Sequence, residues 1–433
     1  MKKFLCYIIL VFLFFGYASC TKSIDNNSEE PEQTEPIEPT EPIDPIDPTE
    51  PIVRQNNKTD IDNNFAFHIF KEVLTLNGDN TFFSPLSLNM ALGMLYNGSS
   101  GDTRVEMAEV LGMADFTETE SNEYYQKVMQ TLLASDPLTE IGIANSIWYR
   151  DGFPVKQSFI DINQKYFDAA VMSLDFSKPD AVDIINNWCA DKTKDKIKEI
   201  IEKQISNDIM MYLINALYFK SNWQFEFDKA DTKQDDFTKS NSQTKKVNMM
   251  EQTAALPYYV DQYLQCIEMP YGNQAFSMMA ILPAADMDIE QLIDYLDNTK
   301  FQNIVDNLYP RVVWLRMPRF KIECDILLND PLEKVGLQRM FDKNFADFNN
   351  IYDKDKVSDN LYVSKIKQKT FVEVSEEGTE AAAVTVIEVA VGESQLLPPP
   401  PVQFFANRPF LYLIREKSTG AILFIGRMDE PKE

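Results

Sequence analysis

Residues 376–401 read EEGTEAAAVTVIEVAVGESQLLPPPP, and whether they form a strand or a loop decides the fold. Split by parity, the odd positions from 379 to 391 are Thr379, Ala381, Ala383, Thr385, Ile387, Val389 and Val391, none of them charged. The even positions carry Glu380 and Glu388 among Ala and Val. Side chains alternate faces along a strand, so the segment has one face fit for burial and one that tolerates water. Six of the eight residues from Val384 to Val391 are β-branched, which favours a strand. Its flanks favour a loop instead: Gly378 precedes it, and Pro398–Pro401 cannot donate ladder hydrogen bonds. A long exposed segment with strand chemistry is normally an aggregation hazard. The residues alone leave open an ordinary strand or an exposed loop able to become one.

The chain has 433 residues, 44% hydrophobic and 25% charged, enough for one large domain or two ordinary ones. Its formal charge of −26 argues against a phosphate-backbone partner, which needs clustered Lys and Arg. Such an acidic surface serves solubility.

Two N-terminal segments stand outside the fold. Lys2 and Lys3 precede the apolar run FLCYIILVFLFFGY, a secretory signal peptide too short to span a membrane comfortably. Its end, Tyr17-Ala18-Ser19-Cys20, resembles the bacterial lipobox, with Tyr17 replacing the usual aliphatic residue. Lipidation of Cys20 is therefore expected, with simple secretion after Ser19 as the alternative. Residues 25–53 hold ten acids and seven prolines and no bulky aromatic, so they cannot form a core. Proline at every third position from Pro36 to Pro51 favours an extended, self-repelling spacer.

Catalytic chemistry is sparse. Cys189, Cys266 and Cys324 are an odd, widely spaced set, read as buried free thiols rather than a disulfide framework. The single histidine, His68, sits between apolar residues in FAFHIFKEV and reads as structural or surface. No nucleophile elbow, HExxH, CxxC pair, Walker loop or GxGxxG is present, so the chain is not expected to be an enzyme and no cofactor or metal is expected.

From Asn57 the pattern is helical, with Phe65, Ile69 and Val73 on one face and Gly78 closing the helix. TFFSPLSLNMALGMLYNGSSGDTRVEMAEVLGM reads as a short strand, a Ser-Pro helix start, a buried helix, a turn and another helix. Later runs such as IMMYLINALYFKSNW, AFSMMAILPA and VVWLRMPRF are β-branched and aromatic. Helices early and strands late predict an α+β fold with mostly antiparallel sheets.

Several of these motifs, in order over residues 57–433, resemble the serpin family. VEVSEEGTEAAA looks like the proximal hinge of a serpin reactive-centre loop, and FFANRPFLYLIREKSTGAILFIGRMDEP like the strand pair that follows it. INNWCADKTKDKIKEII is similar to the family's helix F region, and NALYFKSNWQFEFD to the strand that carries the breach tryptophan, here Trp223. The resemblance implies the serpin fold: helices early, a large mixed sheet A, further antiparallel sheets and an exposed loop. It also implies the activity. The loop is bait for a serine or cysteine protease, and after cleavage it inserts into sheet A as a new strand, trapping the covalent acyl-enzyme.

On this reading Glu376, Glu377, Gly378, Thr379, Glu380, Ala381, Ala382 and Ala383 form the hinge, and its small residues match the inhibitory pattern. The alternative is a non-inhibitory surface protein of the same fold that binds a ligand or scaffolds a partner. Counting forward from Gly378 places the reactive bond at Gly392–Glu393, and counting back from ANRPF places it near Gln395–Leu396; Val391 is a further candidate. No Lys or Arg lies between Gly378 and Gln403, so elastase-, subtilisin- or papain-like targets are expected rather than trypsin-like ones. The shutter is expected to use Ser84, Ser87 and Asn186, with Gln368 at the family's histidine position. Gln368 can both donate and accept, so it can replace that latch without a histidine's titration. DFTETESNEYYQKVMQ, near the usual helix D, is acidic, so heparin-type activation is not expected.

The expected organisation is a signal peptide over 1–19, a lipidated N-terminus and linker over 20–56, and a monomeric serpin domain over 57–433. The expected location is the outer membrane or cell surface of a bacterium, held through the N-terminal lipid, with periplasmic or secreted forms as alternatives.

Overall fold

Ser84 ends a strand and starts a helix, and that junction organises the first half of the fold. The computed structural model describes residues 57–76, 80–201, 204–357, 360–379 and 400–433. Helix α1 (Asn57–Leu74) buries Phe65, Ile69 and Val73, as the periodicity predicts. The expected closing Gly78 lies outside the described residues. Strand β1 (Thr81–Phe83) runs straight into α2 (Pro85–Gly98). Ser84 Oγ caps that helix by accepting from Ser87 N–H at 3.2 Å, and Pro85 occupies the first turn, where no N–H is needed. Every residue of α2 except Ala91 is buried, so it is a core helix. Helices α3 (Gly101–Val110) and α4 (Glu118–Ala134) follow, the latter opened by a Thr117/Glu120 capping box.

The chain then alternates: β2 (Glu140–Arg150), α5 (Gln157–Phe167), β3 (Ala170–Leu174), α6 (Ala181–Lys192) and β4 (Met211–Asn222). Strands take over in β5 (Lys233–Thr238), β6 (Thr244–Val260), β7 (Leu264–Pro270) and β8 (Phe276–Pro283). Two helices, α7 (Ile289–Tyr295) and α8 (Asn298–Asp306), precede β9 (Tyr309–Pro318) and β10 (Phe320–Leu327). After α9 (Asn329–Lys334) come β11 (Lys367–Val374), β12 (Gly378–Thr379), β13 (Val402–Phe405), β14 (Phe410–Glu416) and β15 (Ile422–Met428).

The nine-stranded sheet runs β1-β15-β14-β8-β7-β6-β9-β13, with β5 also on β6. Strands β8, β14 and β15 are buried along their whole length and read as near-continuous apolar runs, because layers cover both faces. The charges they bury are paired or hydrogen-bonded: Arg415 donates to Glu268 at 2.6 Å, and Glu416 accepts from Ser418 N–H and Thr419 N–H. The sheet is antiparallel except where β13 joins β9 in parallel.

The six-stranded sheet runs β10-β11-β12-β4-β2-β3 and is the mixed one expected: β2 and β3 are parallel, the rest antiparallel. Helix α6 covers its face, placing Val182 and Ile185 against Trp148 and Ile214, with Trp188 edge-on to Trp148 at 6.2 Å. Strand β11 pairs with β10 over its full length but meets β12 only at Val374↔Thr379. Strand β4 pairs with β2 from Met211 to Lys220 and meets β12 only at Ser221 and Asn222. Among the described residues, Gly378–Thr379 is the one strand between β11 and β4.

Candidate functional site: the hinge between two strands

Residues 375–379 leave β11 and turn into the space beside β4. Ser375 N–H donates to Gly378 O at 2.9 Å, closing a tight turn. Gly378 has φ +153°, and a Cβ there would lie 2.2 Å from Ser221 O and 2.6 Å from Asn222 Cα. Only glycine lets the two backbones approach this closely. Thr379, the first residue of the uncharged odd-numbered face, is buried, and its Oγ1 lies 2.6 Å from Tyr271 Oη.

Trp223 anchors the top of this turn. Its Nε1 donates to Ser375 O at 2.9 Å and its backbone N–H to Glu377 O at 2.8 Å. Its ring stacks on Tyr271 at 4.4 Å and 11°. Burial pushes the Tyr271 hydroxyl up, so it stays neutral beside Thr379.

The two hinge acids have separate cationic partners. Glu376 is 1% exposed, and its carboxylate accepts from Arg319 Nε at 3.0 Å, Arg319 Nη2 at 2.8 Å and Thr232 Oγ1 at 2.7 Å. Phe227 N–H also donates to Glu376 O at 2.9 Å. Burial alone would raise this carboxyl, but the Arg319 and Thr232 hydrogen bonds carry it below its usual value. Glu377 pairs with Lys229 and accepts from Ser375 Oγ at 3.0 Å; burial raises this carboxyl, but the Lys229, backbone and Ser375 hydrogen bonds together carry it below its usual value.

Lower in the sheet, Gln368 accepts from Ser84 N–H at 2.8 Å and donates Nε2 to Ser84 O at 2.9 Å. Ser84 Oγ donates to Leu423 O at 2.7 Å. Ser84, Ser87 and Gln368 therefore meet, joining β11 to the start of α2 and to β15.

Asn186 does not join them, which corrects the sequence reading. It sits on α6, where its Oδ1 accepts from Ile200 and Ile201 N–H at 2.9 and 3.0 Å and pins the following loop. The asparagine beside α2 is Asn215 of β4. Its Nδ2 donates to Asn145 Oδ1 at 2.6 Å and faces Met90 Sδ at 3.7 Å, while Asn145 donates to Phe167 O at 2.7 Å. An asparagine inside the otherwise apolar run INALYF was the available signal. Arg319 and Tyr271 were also missed, because each reaches the hinge only through the fold.

Glu380, Ala381, Ala382, Ala383, Val391, Gly392, Glu393, Gln395, Leu396 and Cys20 lie outside the described residues. The thiols are unsuited to nucleophilic work: burial raises Cys189 to about 12 and pushes Cys266 and Cys324 up as well. His68 is exposed on α1. Among the described residues no cluster of His, Cys, Asp and Glu could hold a metal ion. What this site offers is a strand junction, not a reacting group.

The family model described as Serpin (serine protease inhibitor) matches residues 60–431. An uncharacterized serpin-like protein of Thermococcus kodakarensis is 31% identical over 373 residues, covering 86% of this chain and 85% of that protein. The native-state crystal structure of a thermophilic serpin, Tengpin, is similar with a TM-score of 0.78 and 31% identity, over 87% of this chain and 95% of that one. Thyroxine-binding globulin in complex with thyroxine gives a TM-score of 0.77 and 27% identity, over 87% and 100% of the two chains.

Proposed function

Because the chain belongs to the serpin family, we propose that it is an inhibitory member: a suicide inhibitor of serine or cysteine proteases, not itself an enzyme. The observation that carries this is Thr379, an uncharged residue already buried between β11 and β4 at the mouth of the six-stranded sheet. The protease nucleophile attacks the bait carbonyl, the peptide C–N bond breaks, and an acyl-enzyme forms on the new carboxyl end. The freed segment then continues β12 between β11 and β4 and carries the protease with it. New ladder bonds and burial of the odd-numbered face drive the step. This chain contributes a two-state strand.

The absence of Lys and Arg between Gly378 and Gln403 supports an elastase-, subtilisin- or papain-like target, with cleavage after a residue between Val391 and Leu396 and Gly392 as the counted choice. We take residues 1–19 as a signal peptide, 20–56 as a lipidated acidic stalk and 57–433 as a monomeric inhibitor domain on a bacterial surface. Heparin-type activation has no place in this reading.

The second reading is a carrier or scaffold, favoured by the likeness to thyroxine-binding globulin, a structure solved with thyroxine. Incubation with a panel of serine and cysteine proteases separates the two. An SDS-stable complex is expected, and intact mass of the released peptide reads the bond. Cleaved protein alone, with every protease fully active, would favour the carrier. Replacing Cys20 with Ala should move the protein from membrane to soluble fractions; a wild type already soluble and unlipidated refutes the anchor.

A further inference from the structure

Arg319 is the single residue between β9, which ends at Pro318, and β10, which begins at Phe320. There the chain leaves the nine-stranded sheet for the six-stranded one. Its guanidinium faces two acids. Nε and Nη2 donate to the buried carboxylate of Glu376, and Nη1 lies 3.9 Å from the carboxylate of Glu433, whose side chain is 40% exposed.

Glu433 belongs to residues 429–433, the segment that follows β15. Residues beyond a domain's last strand are ordinarily loose unless something ties them down. Asn80 Oδ1 accepts from the Asp429 and Glu430 N–H groups, each at 2.9 Å, and Asn80 Nδ2 donates to Glu430 O at 2.6 Å. The Glu430 carboxylate sits between Lys239 and Lys245, at 3.2 and 3.1 Å, and Lys245 also donates to Pro431 O at 2.9 Å. Lys321 N–H donates to Lys432 O at 2.6 Å. Asn248 Nδ2 donates to Glu433 at 2.7 Å, while Asn248 O accepts the Arg319 N–H at 2.8 Å. Lys432 and Glu433 are exposed, so burial does not account for their being held.

These ties converge on the hinge. Phe320, beside Lys321, pairs with Val374 of β11, and Val374 pairs with Thr379. Bonds therefore run from residues 432–433 through Arg319 to Glu376, and through the start of β10 to Thr379. Both ends of the 375–379 turn rest on the same corner of the chain.

We propose that residues 430–433 are a strap that positions the hinge. Glu433 and Asn248 turn the Arg319 guanidinium toward Glu376, and Lys432 fixes the start of β10, so the junction at Thr379 is set before the loop is cut. The effect on trapping rests on the inhibitory reading above; the effect on hinge order does not. An acyl-enzyme has two fates here. The segment inserts, or water attacks the acyl carbonyl, breaking the bond to the protease, which regains its hydroxyl or thiol while the cleaved chain keeps a carboxylate. A junction already in place favours the first.

The test uses the full-length protein carrying Glu433→Ala and, separately, Asn248→Ala. Hydrogen exchange reads hinge order with no protease present, because Trp223, Phe227 and Ser375 N–H donate to Glu377 O, Glu376 O and Gly378 O. A half-exposed ion pair is a weak tie, so exchange at these amides is expected to quicken by about threefold, with β8 and β14 unchanged. With elastase, subtilisin or papain, the ratio of complex to cleaved product should fall by about threefold while the rate of first cleavage stays at the wild-type value. Glu433→Gln keeps an acceptor for Asn248 without the charge and should fall between wild type and Glu433→Ala. Hinge exchange at the wild-type rate in both alanine variants would overturn the proposal. So would a lower melting temperature with hinge exchange unchanged, which would make the segment a structural tie only. A wild type that forms no complex with any protease refutes the inhibitory reading alone; faster hinge exchange in the variants would still support the strap.

Discussion

Tyr271 Oη and Thr379 Oγ1 lie 2.6 Å apart, so the first residue of the strand-forming segment is bonded to a ring stacked flat on Trp223. The junction is ordered through Thr379 before any protease acts. On the proposed insertion, the added strand extends from this residue. Replacing Thr379 by Arg puts a charge where the residue is 2% exposed, at the buried junction from which the proposed insertion extends. Loop cleavage should persist while the SDS-stable complex disappears, read on a single gel. A complex of wild-type yield would disprove the junction's role.

Arg319 and Glu376 form the second hold on the hinge. Arg319→Met removes two hydrogen bonds from a buried carboxylate and should cost about 2–3 kcal/mol. Thermal unfolding should show the loss. Glu376→Gln should cost less than Arg319→Met, since the amide keeps partners without a stranded charge.

The same acids give a pH dependence. Glu376 and Glu377 both titrate below their usual range when folded, with Arg319, Thr232, Lys229 and Ser375 facing them. The unfolded chain then binds protons first, so their contribution is complete above the ordinary Glu pKa of about 4.3 and is lost as pH falls through the folded values. Other carboxylates such as Glu268 are also lowered, so the measurement is the difference between wild type and Glu376→Gln/Glu377→Gln. That difference in melting temperature should shrink toward zero on acidification below about pH 4. A constant difference would contradict the assignment.

Gly378→Ala should destabilise the turn by more than the gain from a stiffer unfolded chain, because its Cβ meets backbone atoms at 2.2 and 2.6 Å. A drop of about 2 kcal/mol or more in chemical denaturation is expected. Wild-type stability would mean that the turn can relax without loss.

Gln368 holds both Ser84 backbone groups with a side chain that does not titrate. Gln368→His should introduce a stability term that weakens as pH falls through about 6.5, because a buried imidazole must then take up a charge. Melting temperatures of wild type and variant between pH 5 and 8 give the comparison. Parallel curves would show that position 368 is not dry enough to feel the charge.

How much of this was legible in the chain varies by residue. The Ser84-Pro85 helix start, the buried α2 and the inward face of α1 follow from local rules, since capping and 3.6-residue periodicity depend on neighbours in sequence. The order of helices early and strands late came from the same local patterns. The hinge was also readable through the resemblance, because Gly378 and the uncharged odd-numbered positions after it lie close together in the sequence. Its setting was not. Arg319 lies 57 residues from Glu376, and Tyr271 lies 108 residues from Thr379. The sequence chose Asn186 for the shutter, whereas the sheet brings Asn215 beside α2, because a polar side chain's partner depends on which strand crosses which helix. Composition and periodicity thus determined the elements, while the resemblance, not the pattern alone, marked the segment after Gly378 as a hinge. Only the tertiary structure decided what holds that segment, since ion pairs, stacked rings and backbone approach join residues that chain order keeps far apart.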